Sequence, residues 1–159
     1  MRYVFSFFIF LLAAACHSAE PDGSVNVVAR SGAIRLGSSP LAVPLTSVAS
    51  PAKLDLTRKT LLVFKGMYAA EQPGITYRIY LGTGSPVPQD ARHFAGTINF
   101  FSAVPLPGAT PKTDQPVELD VTALAAMLLN GKLSVLLVPE GVPGTSATPE
   151  IKSIDLIVQ

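Results

Sequence analysis

A chain of 159 residues with 48% hydrophobic content is long enough for one domain with one core of ordinary size. Its 12 Lys and Arg against 11 Asp and Glu give a formal charge of +1, and no run of like charge occurs. That excludes an electrostatic footprint for nucleic acid or for an anionic membrane surface. The 14 prolines and 12 glycines are spread between apolar runs, the punctuation of many short strands.

Residues 1–15 read as a signal peptide. Arg2 is the positive start, Tyr3 to Leu12 is apolar, and Ala13, Ala14 and Ala15 offer small residues for cleavage. At roughly 13 apolar residues the segment falls short of the ~20 needed for a spanning helix. The single cysteine, Cys16, follows at once, and Leu12-Ala13-Ala14-Ala15-Cys16 resembles a bacterial lipobox, although its leucine stands one place further from the cysteine than usual. The expectation is a lipidated Cys16 that anchors an exported protein in the cell envelope, with membrane contact through the anchor alone. Ordinary secretion with an incidental cysteine is the alternative. Loss of Arg2 would leave 11 basic and 11 acidic residues. One cysteine allows no disulfide within the chain. Residues 16–24 are polar and read as a tether, and residues 25–159 as one domain.

Strands are expected over Val25–Val28, Ala33–Gly37 and Leu41–Leu45, the last at a sheet edge because Pro44 cannot donate to a ladder. Thr46–Arg58 reads as a loop, with Leu54 and Leu56 as a short bridge. Thr60–Tyr68 is an apolar run suited to an interior strand. From Gly74 the chain alternates, with Ile75, Tyr77, Ile79 and Leu81 on one face and Thr76, Arg78 and Tyr80 on the other. After a turn-rich linker, His93–Phe101 groups Phe94, Gly96, Ile98 and Phe100 against Ala95, Thr97, Asn99 and Phe101. Val104–Pro116 is a connection, and Val117–Leu119 a short strand. The period then changes to that of a helix over residues 121–129, with Val121, Leu124, Ala125, Leu128 and Leu129 on one face, Asp120 as N-cap and Asn130-Gly131 as the stop. Lys132–Val138 is a strand ended by Pro139, Gly141–Ser146 a turn, and Glu150–Val158 a closing strand. The pattern predicts an all-β antiparallel sandwich, jelly-roll-like, of about seven or eight strands with one short helix.

Chemistry-bearing motifs are scarce. The two histidines are His17, in the tether, and His93, read as a solvated strand-end residue rather than a metal ligand or base. Asp90, Asp114, Asp120 and Glu140 fall in loops, with no spacing that forces two together. No nucleophile–base pair, phosphate-cradling loop or zinc motif is visible, so neither a catalytic site, a metal site nor a cofactor is expected. Tyr68, Tyr77 and Tyr80 suit a core or a sheet face better than ligand recognition.

The order of elements resembles a known family. Leu61-Leu62-Val63-Phe64-Lys65-Gly66-Met67, then Tyr77 to Gly82, then His93 to Phe101, is similar to the C-terminal domain of polyphenol oxidases and tyrosinases. The later run from Glu118 to Leu128, the strand Leu133 to Gly141 and the terminal Ile151 to Val158 match it too. In plants that domain carries a KFDV signature, whose place Tyr77–Leu81 occupies without its literal residues. Phe94-Ala95-Gly96 is also similar to a strand of molluscan haemocyanin β-domains, and Ala33 to Leu45 resembles the segment joining this domain to the oxidase core in long bacterial tyrosinases. The resemblance covers roughly residues 30–159.

The resemblance implies a sandwich that packs over the entrance of a type-3 copper site and regulates access, with an apolar side chain entering the substrate pocket. The histidine-rich copper core is absent here, and two histidines cannot replace it. The expected function is therefore non-catalytic: an exported accessory domain that shields or regulates a separately encoded tyrosinase-like copper oxidase core. Phe100 and Phe101 are the candidate plug or interface residues. Because adjacent strand residues face opposite sides, one of them should be exposed. The alternative is an envelope sandwich serving as a structural or binding module unrelated to copper oxidases.

Overall fold

Apolar runs from two sheets, rich in Leu, Val and Ile, build the two faces of the core. The computed structural model describes residues 25–48, 57–105, 115–129, 131–142 and 148–159. Its strands are β1 (Asn26–Arg30), β2 (Ile34–Arg35), β3 (Leu41–Pro44), β4 (Thr46–Ser47), β5 (Thr60–Lys65), β6 (Ile75–Thr83), β7 (Phe94–Ile98), β8 (Val117–Asp120), β9 (Leu133–Gly141), β10 (Glu150–Ile151) and β11 (Ser153–Val158). One sheet has the order β4-β1-β11-β5-β8 and the other β3-β9-β6-β7, while β2 and β10 form a separate ribbon.

The pairing is nested and antiparallel: β1 with β11, β3 with β9, β5 with β8, β6 with β7. This is one long hairpin with the β6–β7 connection at its tip. Rolling that hairpin sets β11 beside β5 and β9 beside β6, which makes it a jelly roll. The expected all-β sandwich is the fold.

Ala29, Leu62, Phe64, Ile154 and Leu156 from the first sheet meet Val43, Ile79, Leu81, Val135 and Leu137 from the second. Ile75, Tyr77, Ile79 and Leu81 all point inward, as their spacing requires. Tyr77 can sit in this core because its hydroxyl donates to the Gly37 carbonyl at 3.1 Å. Burial pushes its phenol up to about 12.

Several boundaries differ from expectation. Thr46–Ser47 is not loop but a short edge strand beside β1. Strand β9 runs on through Pro139, which is tolerated because β3 begins opposite Leu137 and asks no hydrogen bond of the proline. The closing strand is broken at Lys152, whose amide turns to the Lys65 carbonyl and separates β10 from β11. The helix is a 3-10 helix, Thr122–Leu129, with Val121, Ala125 and Leu128 buried. Its first turn is pinned to β5: Val121 N donates to Thr60 O at 2.9 Å, and Thr60 N to Thr122 Oγ1 at 3.0 Å. Asp120 caps it through the Thr122 amide and hydroxyl. Leu54, Leu56, Asn130 and most of the expected turn Gly141–Ser146 lie outside the described residues.

Phe94 departs from its expected face. Gly96 opposes Ile79, but Phe94 opposes Tyr80, so Ala95 is bulged and the alternation resets. Gly96 has φ +144, and a Cβ there would meet the Leu119 side chain at 3.1 Å. Only glycine lets β7 take this path against β8. Phe94 is thereby placed outside, 37% exposed, while Ile98 and Phe100 stay in the core.

Candidate functional site

The registers sort the connections onto two poles. Arg30, Lys65 and Ser153 share one end of the first sheet, and Ile75, Ile98, Leu41 and Gly141 the matching end of the second. The links β1–β3, β5–β6, β7–β8 and β9–β11 therefore all emerge at one pole. The opposite pole carries Asn26, Gln159, the β6–β7 link and the 3-10 helix. Loops gathered on a rigid sandwich are where binding residues concentrate.

Phe101 stands on the first of these poles. Phe100 is 1% exposed and meets the Tyr77 ring edge-on, with centroids 6.1 Å apart at 76°. Phe101, the next residue, is 70% exposed. It opens a 3-10 turn, Phe101–Ala103, whose backbone is held on several sides. Phe101 N donates to Asn99 Oδ1 at 3.2 Å, and Gln72 Nε2 donates to Phe101 O at 3.2 Å. Ala103 N donates to Phe100 O, and Ala69 N to Ala103 O. The turn is fixed while its phenyl ring faces solvent. Val142, 82% exposed, emerges at the same pole from the end of β9.

The same pole carries an open groove of about 460 Å³, lined by Ile34, Arg35, Tyr68, Glu150 and Lys152 among others. The two features share a backbone connection. Tyr68 exchanges hydrogen bonds with Glu150 at 2.8–2.9 Å, and the adjacent Ala69 holds the Phe101 turn. Arg35 Nε pairs with Glu150 Oε1 at 2.8 Å. The pole thus carries both an apolar projection and a groove with charged side chains in its lining.

The remaining expected site residues are dispersed. Cys16 and Asp114 lie outside the described residues. His93 is not left in solvent: its side chain is 20% exposed, and Nδ1 lies 2.7 Å from Asp90 Oδ1. The hydrogen bond from His93 holds the Asp90 carboxyl below its usual range. This pair closes the β6–β7 link over Gly82, at the opposite pole from Phe101. Asp120 is the helix cap, its carboxyl lowered by the Thr122 hydroxyl. Among the described residues no three His, Cys, Asp or Glu side chains gather as metal ligands.

One buried charge was not singled out from the sequence. Asp155 has a fully buried side chain on the outer face of the first sheet, clamped by Arg30 at 2.7 and 2.8 Å and by Lys65 at 2.8 Å. Burial pushes its carboxyl up, but the hydrogen bonds and charges of Arg30 and Lys65 outweigh burial and hold it below the usual carboxylate range. An aspartate inside the apolar run Ile154-Asp155-Leu156-Ile157-Val158 was the available signal. No protein-family model matches the chain, and no curated protein matches it.

Proposed function

We propose that this protein is a non-catalytic, exported accessory domain that docks through its Phe101 pole over the substrate entrance of a separately encoded type-3 copper oxidase. The observation that carries the reading is the Phe100–Phe101 pair. One ring anchors the turn in the core beside Tyr77, and its neighbour projects 70% exposed from a backbone held by Gln72, Asn99 and Ala69. A backbone already held in place lowers the ordering cost of docking the ring it presents. The family resemblance of the strands supplies the identity of the partner, and the jelly roll agrees with the fold that the resemblance implies.

Lipidation at Cys16 is the second part of this reading. The tether enters β1 at Asn26, opposite Val158, and that pole is the one remote from Phe101. An envelope anchor at Cys16 would thus leave the docking pole turned away from the membrane. The direct test titrates the chain into a core-only tyrosinase-like oxidase and follows diphenol oxidation. Saturable inhibition is expected. Binding with an unchanged oxidation rate would replace shielding with a plain interaction module.

A further inference from the structure

We propose that Arg78, on the outer face of the four-stranded sheet, is a docking point for a carboxylate side chain of a protein partner. The inference rests on the reading of the domain as a docking module, but not on the partner being an oxidase. The Arg78 guanidinium carbon lies 5.2 Å from the centre of the Phe94 ring and 5.7 Å from that of Tyr80. The two rings are themselves edge-on, 5.7 Å apart at 62°. This seat exists because the bulge at Ala95 turns Phe94 outward beside Tyr80. Both rings lie within cation–π range of the guanidinium.

Among the described residues no anion pairs with this seat. Arg78's cross-strand neighbours are Thr97 on β7 and Val138 on β9. Glu140 is the acid nearest in register on this face, opposite Thr76, and it forms no ion pair with Arg78. Arg30, Lys65 and Arg35 by contrast each engage a carboxylate. The guanidinium fork matches a carboxylate in two parallel hydrogen bonds, and Arg78 is exposed on this face. Part of the side-chain ordering that binding requires is already done by the rings.

The aromatic geometry selects the occupant. Tyr80 is 4% exposed, and Arg78 itself lies over both rings. Phe94 is the one ring of the seat with open surface, 37% exposed and already contacted by the guanidinium, which suits an acidic side chain better than the broad stacking face an acidic polysaccharide would use. Arg78 is also close to the docking pole, three residues along β6 from Ile75, roughly 10 Å at the rise of a strand. A partner seated over Phe101 can reach it.

The test titrates end-blocked tri-glutamate into the intact chain and follows the Arg78 Nε–H, Thr97 amide and Phe94 ring resonances. Saturable shifts are expected, with affinity at least about tenfold weaker in Arg78→Gln, the loss of one charge-assisted bidentate contact. Arg78→Lys should recover only part of it. Melting should fall by no more than a few degrees in either variant, since Arg78 is exposed and an exposed cation–π contact contributes little to stability. Equal shifts in Arg78→Gln, or equal shifts with sodium chloride at matched ionic strength, would overturn the site. Binding of tri-galacturonate in place of tri-glutamate would overturn the partner class. The titration needs no oxidase, so its failure is separate from a failure of the shielding reading; Phe101→Ala should leave it unaltered.

Discussion

Replacing each of two adjacent phenylalanines by alanine should give opposite outcomes, because the chain puts one ring inside and the next outside. Phe100 is 1% exposed and packs on Tyr77, whereas Phe101 is 70% exposed. Phe100→Ala removes a buried ring and leaves a cavity beside Tyr77, a change that costs about 3–5 kcal/mol. Part of that is the edge-on aromatic contact, on the order of 1 kcal/mol. For a domain of this size, where 1 kcal/mol moves the midpoint by about 3–4 °C, the melting temperature should fall by roughly 10–20 °C. Phe101→Ala removes a ring that water already surrounds, and the expected change is within about 0.5 kcal/mol. The fixed turn should survive, since its hydrogen bonds come from the Phe101 backbone and not from its ring. Thermal unfolding followed by circular dichroism measures both variants. Similar destabilisation by the two substitutions would refute the assignment of faces, and with it Phe101 as a free projection.

Three further outcomes are expected. Asp155→Asn leaves Arg30 and Lys65 without their shared anion; both are about half exposed, so water compensates in part and the cost should be about 2–3 kcal/mol at neutral pH. Because the folded carboxyl is held below its ordinary value, its contribution is complete above roughly pH 4 and fades as pH falls through the lowered folded value. Urea unfolding from pH 6 to pH 3 should therefore show the wild type and the variant converging on acidification, and parallel curves would contradict the clamp. Gly66→Ala should destabilise by about 1–3 kcal/mol, since φ is +60 and the new Cβ would lie 2.6 Å from the Lys152 Cβ; a wild-type melting temperature would argue against the close approach of β5 to the β10–β11 break. In a bacterial host, labelled palmitate should enter the protein and be lost in Cys16→Ser, whereas incorporation that persists in the variant would exclude Cys16 as the attachment site.

The fold was legible wherever a side-chain period was uninterrupted. The alternation from Ile75 to Leu81 named the inward face of β6, and the apolar run Thr60–Phe64 named a strand that the structure places between β11 and β8. Alternation failed at Ala95, where one extra residue reverses every side chain on its far side and sends Phe94 outward. Proline misled at Pro139, since a missing donor matters only where a neighbouring strand asks for it. The 3-4 spacing of Val121, Leu124, Ala125 and Leu128 located the helix but could not distinguish its winding, which anchoring to Thr60 accompanies. For the site, Phe100 and Phe101 were expected to face opposite sides of a strand; β7 instead ends at Ile98, and the 3-10 turn that opens at Phe101 separates the two rings. The Asp155 clamp and the Arg78 seat were not legible, because each joins residues from separate strands whose registers no local pattern encodes.

The central claim is that Phe101 acts as a plug rather than as general adhesive. It is tested most directly by measuring, in one series, the binding constant and the inhibition of diphenol oxidation for wild type and Phe101→Ala against a core-only tyrosinase-like oxidase. On that reading a plug would exclude substrate, while the surrounding pole would supply most of the contact. Phe101→Ala should therefore relieve inhibition more than it weakens binding, leaving a complex that still oxidises diphenols. Equal loss of binding and inhibition, or a bound complex inhibited as fully as with the wild type, would contradict it.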